Sequence, residues 1–535
     1  MNKIILNLFV TLCILNEGVA EDPIEIGSRR ELFVDKALIH RTTGQLSLRL
    51  HHPIPRETVL VYDAPWEGNS TNYHCIFKDG DRFRMYYLTR NVSFQNKQLR
   101  VEGLRFCLVE SEDGVHWRRP NLGTHEFDGS TDNNIVMVQA DVDPFNARMG
   151  APAIFRDENP DISPDARYKT FISSKSPIGM IPLKSPDGIH WTPMSDKPVI
   201  TNGSFDSMNL GYWDAVRGEY RAYWRYFSAG ETTDEKWEPA GIRAIRTSAS
   251  KDFLNWETGF DLQYQDGHEI EMYENIIYPY HRAPHLKIGF PVRYVDRAGA
   301  PSTSDPSGAD QADAARIAKW PRSLKALPDF KSRSERATLS ERFGTALTEG
   351  MLICSRDGVH FHRWEEGFLR PGIERPGTWN YGHQFIAWHA VETPSSLKGA
   401  PNELSLYATE GGWQGEGKTL RRYTLRLDGF VSAHASAKGG ILLTRPLEYH
   451  GDRLSLNFST SAAGSVRVEL QDERGKPISG FSLADCDELF GDTVERTVSW
   501  QGKTDVTSAA GKTVRLKFEL RDADVYAFQF QEEPN

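Results

Sequence analysis

The chain has 535 residues, a formal net charge of -10 and a hydrophobic fraction of 39%. Single cores stop growing at roughly 250–300 residues, so more than one domain is expected. The acidic balance, with no long run of Lys or Arg, excludes the basic face that nucleic-acid binding requires. The 44 glycines, 29 prolines and 13 tryptophans suit many short strands joined by turns.

The first 20 residues have the pattern of a secretory signal peptide. Lys3 is followed by the largely apolar run 4–15, and the small residues Gly18 and Ala20 precede Glu21. We predict cleavage after Ala20 and a secreted or periplasmic protein. The apolar run is too short to span a bilayer comfortably, and no later stretch predicts a membrane span.

The cysteines beyond this segment lie far apart and lack the spacing of a zinc site. They are Cys75, Cys107, Cys354 and Cys486. Cys75 and Cys107 lie in neighbouring apolar segments, which leaves a disulfide open. Buried free thiols are the simpler interpretation.

A seven-residue motif recurs along the chain. It reads Ser-Glu-Asp-Gly-Val-His-Trp at 111–117 and returns at 185–191, 250–256 and 355–361. Asp-Gly makes a tight turn because Asp bonds its own backbone and Gly accepts positive φ. Each copy follows a β-rich run, and a hairpin pattern precedes each run. Four strands per unit, in four units with the motif and a fifth without it, indicate a β-propeller.

The sequence therefore predicts an all-β protein, a five-bladed β-propeller followed by a smaller C-terminal β-sandwich. Residues 21–60 are predicted to form an arm across the propeller or a strand that closes its ring. The propeller is assigned to 61–435 and the sandwich to 436–535. Residues 296–350 change composition and are interpreted as an insertion between the second and third strands of blade four. It is either a lid or rim, or a disordered loop.

The repeated motif, together with the runs 155–160, 205–209 and 421–430, resembles exported bacterial proteins of glycoside-hydrolase type. The layout is similar to that of family 32 and family 43 glycoside hydrolases. Those families are five-bladed propellers, and the invertase group adds a C-terminal sandwich. The resemblance implies cleavage of glycosidic bonds by carboxylates that successive blades bring to a central funnel.

Acidic residues in the loops that lead into each blade are the candidate catalytic groups. Glu271 is interpreted as the general acid, with Asp206 tuning it or positioning the sugar. Asp143 or Glu67 is interpreted as the base or nucleophile. Because an Asp before a strand also caps turns, a structural role stays open for each of them. Asp157, in an Asp-x-Asn-Pro run, is predicted to be a turn residue.

The same loops supply the predicted substrate-binding residues. One aromatic ring would stack on a sugar, and the other side chains would supply hydrogen bonds: Trp66, Asn72, Arg148, Arg225, Glu274, Arg293 and His383. Arginines that face the funnel would favour an anionic sugar, either sulfated or uronic.

The predicted function is a secreted glycoside hydrolase that acts on a poly- or oligosaccharide through paired carboxylates. The alternative is a non-catalytic carbohydrate-binding propeller. A funnel with two carboxylates roughly 5–10 Å apart would favour hydrolysis. No cofactor or metal ion is predicted, although a structural calcium ion at the propeller axis stays open.

Overall fold

The structure is a computed structural model that describes residues 21–95, 98–233, 236–265, 267, 269–303, 309–411 and 419–532. The predicted signal peptide, residues 1–20, lies outside the described residues. The chain divides into two compact units. The larger unit consists of Leu32–Asp35 and Leu48–Ala433, and the smaller one contains Lys36–Ser47 and the chain before and after these ranges.

Four strands precede the first repeat. They are β1 (Ile24–Gly27), β2 (Arg30–Leu32), β3 (Ile39–Leu50) and β4 (Ile54–Val61). The first blade contains β5 (Ser70–Asp79), β6 (Arg82–Gln95), β7 (Gln98–Ser111) and β8 (Ile135–Val138). After helix α1 (Gln139–Val142), the second blade contains β9 (Ala147–Arg148), β10 (Phe155–Arg156), β11 (Tyr168–Ser174), β12 (Gly179–Ser185) and β13 (Thr192–Pro193).

The next three blades follow the same order along the chain. Blade three contains β14 (Leu210–Asp214), β15 (Glu219–Thr232), β16 (Trp237–Ser250) and β17 (Phe260–Asp261). Blade four contains β18 (Gln263–Tyr264), β19 (Ile277–Tyr280), β20 (Ala283–Gly289), β21 (Val292–Asp296), β22 (Ala346–Ser355) and β23 (His360–Leu369). Blade five contains β24 (Phe385–Ile386), β25 (Val391–Thr393), β26 (Glu403–Glu410) and β27 (Thr419–Arg426).

The repeated motif forms the same turn in each of its four copies. In the first copy, Asp113 Oδ1 accepts hydrogen bonds from the backbone N–H groups of Val115 and His116, both at 2.8 Å. Ser111 Oγ accepts one from the N–H of Gly114 at 2.9 Å. Gly114 has φ +75°, which its missing Cβ allows. The Ser111 and Asp113 side chains thus supply the hydrogen bonds of the turn. The Trp117 side chain at the end of the motif packs outside the turn.

Each copy of the motif packs on the preceding blade. Phe253 of blade three stacks on Phe171 of blade two, with ring centroids 4.5 Å apart. In the same way, Tyr223 of blade three donates to the carbonyl of Gly358 in blade four at 2.9 Å. The first motif meets the fifth blade, because Trp117 lies against Tyr407 at 5.9 Å. The larger unit is therefore a closed five-bladed β-propeller.

The ring closes with a strand from the start of the chain. Strand β4 pairs antiparallel with β27 of blade five, with Ile54 opposite Thr424 and Val61 opposite Thr419. An apolar cluster that spans blades one and five packs behind this closure and includes Tyr62 and Ile76. Backbone hydrogen bonds thus join β4, at the start of the propeller segment, to β27, at its end.

The segment between β21 and β22 is a folded insertion in blade four, with helices in the part that the structure describes. They are α2 (Ala314–Ala318), α3 (Arg322–Ala326), α4 (Phe330–Ala337) and α5 (Arg342–Thr345). Its small core contains Ala312, Trp320, Leu324 and Ala337, and Trp320 Nε1 donates to Glu341 at 2.8 Å. A buried Trp with its N–H bonded gives the insertion a defined packing.

The smaller unit is also built of strands. Beyond β1 and β3, it contains β28 (Val431–Thr444), β29 (Leu447–Tyr449), β30 (Arg453–Asp472), β31 (Asp492–Thr497) and β32 (Val514–Gln531). The order β1-β29-β32-β28-β3 runs through one sheet, and β30 pairs with both β31 and β32. Residues from the start of the chain therefore belong to this unit, beyond the range 436–535 assigned from the sequence. Its description as a sandwich stays a prediction.

The four cysteines of the described chain are free thiols in buried positions: Cys75, Cys107, Cys354 and Cys486. Burial raises the pKa of Cys75 to about 12. The open alternative of a disulfide between Cys75 and Cys107 is therefore not realised in the structure.

Candidate active site

Aromatic rings from three blades meet where the loops lead into the first strands. The Tyr273 ring of blade four lies 5.5 Å from the Phe385 ring and 5.6 Å from the Tyr381 ring, both of blade five. Tyr73 of blade one lies 6.3 Å from Phe385. All four rings are buried, and they come from the segments that enter blades one, four and five.

Backbone irregularities direct these loops. A bulge between Asn72 and Cys75 interrupts the pairing of β5 with β6, and Tyr73 within it has φ +55°. Ile276, just before β19, and Gln384, just before β24, also have positive φ, at +23° and +64°. Such values are unfavourable for residues with a side chain and occur where the surrounding structure enforces them. Bulges of this kind re-aim side chains at the rims of barrels and next to active sites.

Asp206 lies beside this aromatic cluster in the loop before β14. Its carboxylate accepts a hydrogen bond from Arg225 of β15. Burial opposes ionisation of Asp206, but the Arg225 guanidinium outweighs it and holds the pKa below the ordinary value. The side chain nevertheless keeps 59% of its surface accessible. A carboxylate that is both accessible and closely surrounded by protein lies in a depression open to solvent.

Glu274 comes from the loop before β19 and is only 2% exposed. Its Oε2 accepts a hydrogen bond from the backbone N–H of Met208 at 3.4 Å, two residues beyond Asp206. Its Oε1 has no hydrogen-bond partner within the described chain. Burial raises the pKa of Glu274 to about 8, although Arg225 acts in the opposite direction. Glu274 is thus a protonated carboxylic acid at neutral pH.

These two carboxyl groups share the field of one arginine but differ in ionisation. Arg225 interacts electrostatically with both Asp206 and Glu274. Neighbouring acids whose pKa values are pushed apart can serve as a proton donor and as an anion in one reaction. The sequence predicted both residues for the site, with Glu274 as a binding residue.

Glu271, the predicted general acid, is instead held by Arg243 of β16. Arg243 Nη1 donates to Glu271 Oε1 at 2.7 Å, and Arg243 Nη2 donates to the carbonyl of Ser302 at 2.7 Å. Glu271 thus lies in an ion pair with Arg243, and its role as the general acid stays a prediction. Glu274 lies three residues further along the same loop.

Two site residues were missed because no local motif marks them. Arg342, from α5 of the insertion, lies over the Tyr381 ring at 5.2 Å. Tyr294, from β21, lies 5.9 Å from Tyr381 and 5.2 Å from the Arg243 guanidinium. The insertion therefore reaches the aromatic cluster and forms part of the wall of the site.

Glu67 and Trp66, predicted to catalyse and to stack on a sugar, have hydrogen-bond partners within blade one. Arg119 donates to both oxygens of Glu67 at 2.9 and 2.8 Å, and Tyr87 donates to its Oε1. Trp66 Nε1 donates to Asn134 at 2.7 Å. These contacts stabilise the blade, and the catalytic and stacking roles stay predictions.

Asp143 is an exposed residue in the short 3₁₀-helix Asp143–Phe145. Its Oδ1 accepts from Lys175 and Gln139, both at 2.7 Å, and these bonds lower its pKa. Asp143 is thus an ion-paired loop residue, and its role as base or nucleophile stays a prediction.

Arg148, a predicted binding residue, differs from Asp143 in its partners. It lies opposite Ser173 in the sheet, and Ser173 Oγ donates to the carbonyl of Phe205 at 2.5 Å. Directly paired residues share a face of the sheet, so Arg148 and Ser173 lie on the same face, and the binding role of Arg148 stays a prediction. It is exposed and has no ion pair within the described chain.

The remaining predicted binding residues are Arg293, Asn72 and His383. Arg293 binds Glu349 and the carbonyl of Glu365, and its binding role stays a prediction. Its neighbour Tyr294 is the residue that lies near Tyr381. Asn72 adjoins Tyr73 and is buried, with Oδ1 unpartnered among described atoms. His383, two residues after Tyr381, is buried, and burial lowers its pKa to about 4. Binding roles for Asn72 and His383 stay predictions.

Within the described ranges, no three His, Cys, Asp or Glu side chains cluster as metal ligands would. The helices in these ranges are all too short or too polar to cross a membrane.

Several solved structures are similar in fold. A family 43 arabinoxylan arabinofuranohydrolase from Bacillus subtilis has 13% identity and a TM-score of 0.38, covering 89% of this chain and 99% of its own. A glycosyl hydrolase from Bacteroides ovatus has 12% identity and a TM-score of 0.37, covering 72% and 94%. An N-acetylgalactosamine deacetylase from F. plautii has 12% identity and a TM-score of 0.38, covering 70% and 94%. No protein-family profile and no curated protein matches the sequence. These similarities concern the fold alone.

Proposed function

We propose that this protein is an exported glycoside hydrolase in which Glu274 is the general acid and Asp206 is the partner carboxylate. Glycosidic cleavage requires one acid that protonates the leaving oxygen and one carboxylate that activates water or attacks the sugar carbon. The observation that carries the proposal is the placement of two carboxyl groups near Arg225: Asp206 is accessible and bound to it, and Glu274 is buried with Oε1 unpartnered in the described chain. The directions of their pKa shifts agree with these two environments.

Glu274 is suited to donate a proton. Its Oε1 has no partner within the described chain, so a leaving oxygen could accept its proton there. The most effective catalytic acids have a pKa near the working pH, because they are then protonated and still release the proton readily. Burial among the aromatic rings produces that pKa without a second carboxylate in direct contact.

Asp206 is suited to act as the anion. It stays ionised because Arg225 holds its charge, and its accessible surface leaves room for water or a sugar carbon. The buried rings of Tyr73, Tyr273 and Phe385 supply apolar and hydroxyl surface at the floor. Sugars bind such surfaces through their C–H faces and hydroxyl groups.

The test is release of reducing sugar from a panel of plant and algal polysaccharides, sulfated ones included. Wild-type protein is compared with Glu274→Gln, Asp206→Asn and the matched carboxylate-to-amide control Asp143→Asn. Loss in the first two variants and full activity in the third are expected. Activity that survives in Glu274→Gln would refute the acid assignment. Binding of a polysaccharide with no cleavage by the wild type would favour the alternative, a carbohydrate-binding propeller.

A further inference from the structure

Arginine side chains surround the aromatic cluster on several sides. The Arg225 and Arg243 guanidinium groups lie 5.5 and 5.0 Å from the Tyr273 ring centroid. Arg342 lies over Tyr381, and Arg90 of blade one lies over Tyr73 at 5.8 Å. Four separate elements of the larger unit thus bring positive charge to one depression.

Two of these arginines already have a carboxylate partner. Asp206 pairs with Arg225, and Glu271 pairs with Arg243. Glu274 is buried near Arg225, and burial raises its pKa to about 8. An anionic ligand would therefore be held by donors that these ion pairs leave over.

Several hydrogen-bond donors around the aromatic cluster have no acceptor in the described chain. Nε of Arg225, Nε of Arg243 and the hydroxyl of Tyr294 are buried, and they have no hydrogen-bond acceptor in the described chain. The two arginines are only 3% and 4% exposed at their side chains. A buried donor without an acceptor is costly, so an acceptor that a ligand brings would stabilise the complex.

We propose that the site recognises a saccharide that carries an oxyanion, either the carboxylate of a uronic acid or a sulfate ester. Guanidinium groups form short, charge-assisted hydrogen bonds with both kinds of anion and often grip them through two N–H groups. Arg243 and Tyr294 would contact the anionic group, and Arg342 would hold it from the insertion. The inference rests on the proposed function for the position of the sugar ring, because Asp206 and Glu274 define where the scissile bond lies.

Binding is measured by calorimetry on the full mature protein, independently of turnover. The probes are galacturonic acid, glucuronic acid and galactose 6-sulfate, with galactose and glucose as neutral partners. The anionic sugars are expected to bind at least about tenfold more tightly than the neutral ones, and the preference is expected to shrink as salt rises. Preference for the uronic acids would identify a carboxylate, and preference for the sulfated sugar would identify a sulfate ester.

Variants locate the anion. Arg243→Gln and Tyr294→Phe are expected to lose most of the preference, which is the ratio of the affinities for anionic and neutral sugars measured on the same variant. The control Arg474→Gln removes an exposed arginine of the smaller unit and is expected to keep the preference for anionic sugars. Arg243→Lys keeps the charge without the fork of donors and should recover only part of the preference. Circular dichroism confirms that each variant is folded.

Equal affinity for charged and neutral sugars, or no binding of any anionic probe, would overturn the inference. Hydrolysis of neutral polysaccharides alone would also overturn it, with the proposed function intact. Selective binding of the charged sugars without any hydrolysis would support the inference and count against the proposed function.

Discussion

Arg225 donates a hydrogen bond to Asp206, and it is also the strongest charge that acts on Glu274. The arginine holds Asp206 ionised because the carboxylate is in direct contact with it. It does not ionise Glu274, because burial dominates at that more enclosed position. The contact with Arg225 and the difference in burial thus favour different protonation states for two neighbouring carboxyl groups, which is the condition for acid catalysis beside a carboxylate.

The pH dependence of hydrolysis should reflect both groups. Glu274 must be protonated, so kcat/KM is expected to fall as pH rises through about 8. Asp206 must be ionised, so the acidic decline should lie below the ordinary range of an aspartate. A pH–rate profile measures both limits. A profile that rises toward pH 9 would show that Glu274 is not the acid.

Replacing Arg225 with Gln should move both limits of this profile in one direction. Without the guanidinium, the pKa of Asp206 rises, and the pKa of Glu274 rises as well, since Arg225 lowers both. Both flanks of the pH–rate profile should shift to higher pH, with a lower maximum. The matched control is Arg217→Gln, an exposed arginine at the opposite end of blade three. If both flanks of the profile were unchanged in Arg225→Gln, Arg225 would not be the group that lowers the pKa values of Asp206 and Glu274.

Glu274→Gln should abolish the alkaline limb and lower kcat by about 10²–10⁴-fold, the range typical of general acid catalysis. Its effect on stability should depend on pH. The folded pKa of about 8 lies above the ordinary value of 4.5, so the folded state binds the proton more tightly between these values. Stability that this proton contributes is present below pH 4.5 and is lost as pH rises toward 8.

The amide side chain carries no titratable proton, so this loss should be absent in Glu274→Gln. Relative to wild type, the variant should gain stability between pH 5 and pH 9, on the order of 3 kcal/mol. Thermal melts at several pH values measure the difference, with Asp143→Asn as a carboxylate control. A constant difference across the range would show that Glu274 is ionised in the folded state.

A buried ion pair within blade two, hydrogen-bonded to a tyrosine of blade three, should matter for stability but not for chemistry. Asp157 and Lys169 pair with both side chains almost fully buried, and Tyr220 donates to Asp157 Oδ2 at 2.7 Å. Asp157→Ala leaves the Lys169 ammonium buried without its partner and should cost about 3–5 kcal/mol. Chemical denaturation measures the loss.

The double variant Asp157→Leu with Lys169→Met removes both charges and should recover most of that stability. Turnover per folded molecule should equal that of wild type in both proteins. Stability that stays low in the double variant would show that the hydrogen bonds to Tyr220, and not the charge, are what blades two and three require.

The blades could be predicted from sequence because their signals are local. A Ser and an Asp two residues apart supply the hydrogen bonds of each turn, so 111–117 predicts a turn without any distant partner. Even Asp157, predicted to be a turn residue, does accept the N–H of Asn159 at 2.9 Å. Its pairing with Lys169 across a hairpin had no such signal.

The site could be predicted only in part because its residues depend on direction and on distant partners. Glu271 and Glu274 lie three residues apart in one irregular loop, and neither strand nor helix periodicity shows which one faces the axis. Glu67 resembles an axial acid until Arg119, 52 positions away, is seen to bind it. Arg342 comes from an insertion that carries no motif, so its place beside Tyr381 follows from the fold alone.

The outermost strand of blade five, β4, is made before any of the blades. During synthesis, this strand has no partner until β27 appears, more than 300 residues later. Contacts between residues so far apart form slowly, since a long loop must close first. Completion of the ring is therefore expected to be a late step in folding, and until then the edge of β27 in blade five is open to pairing with other chains.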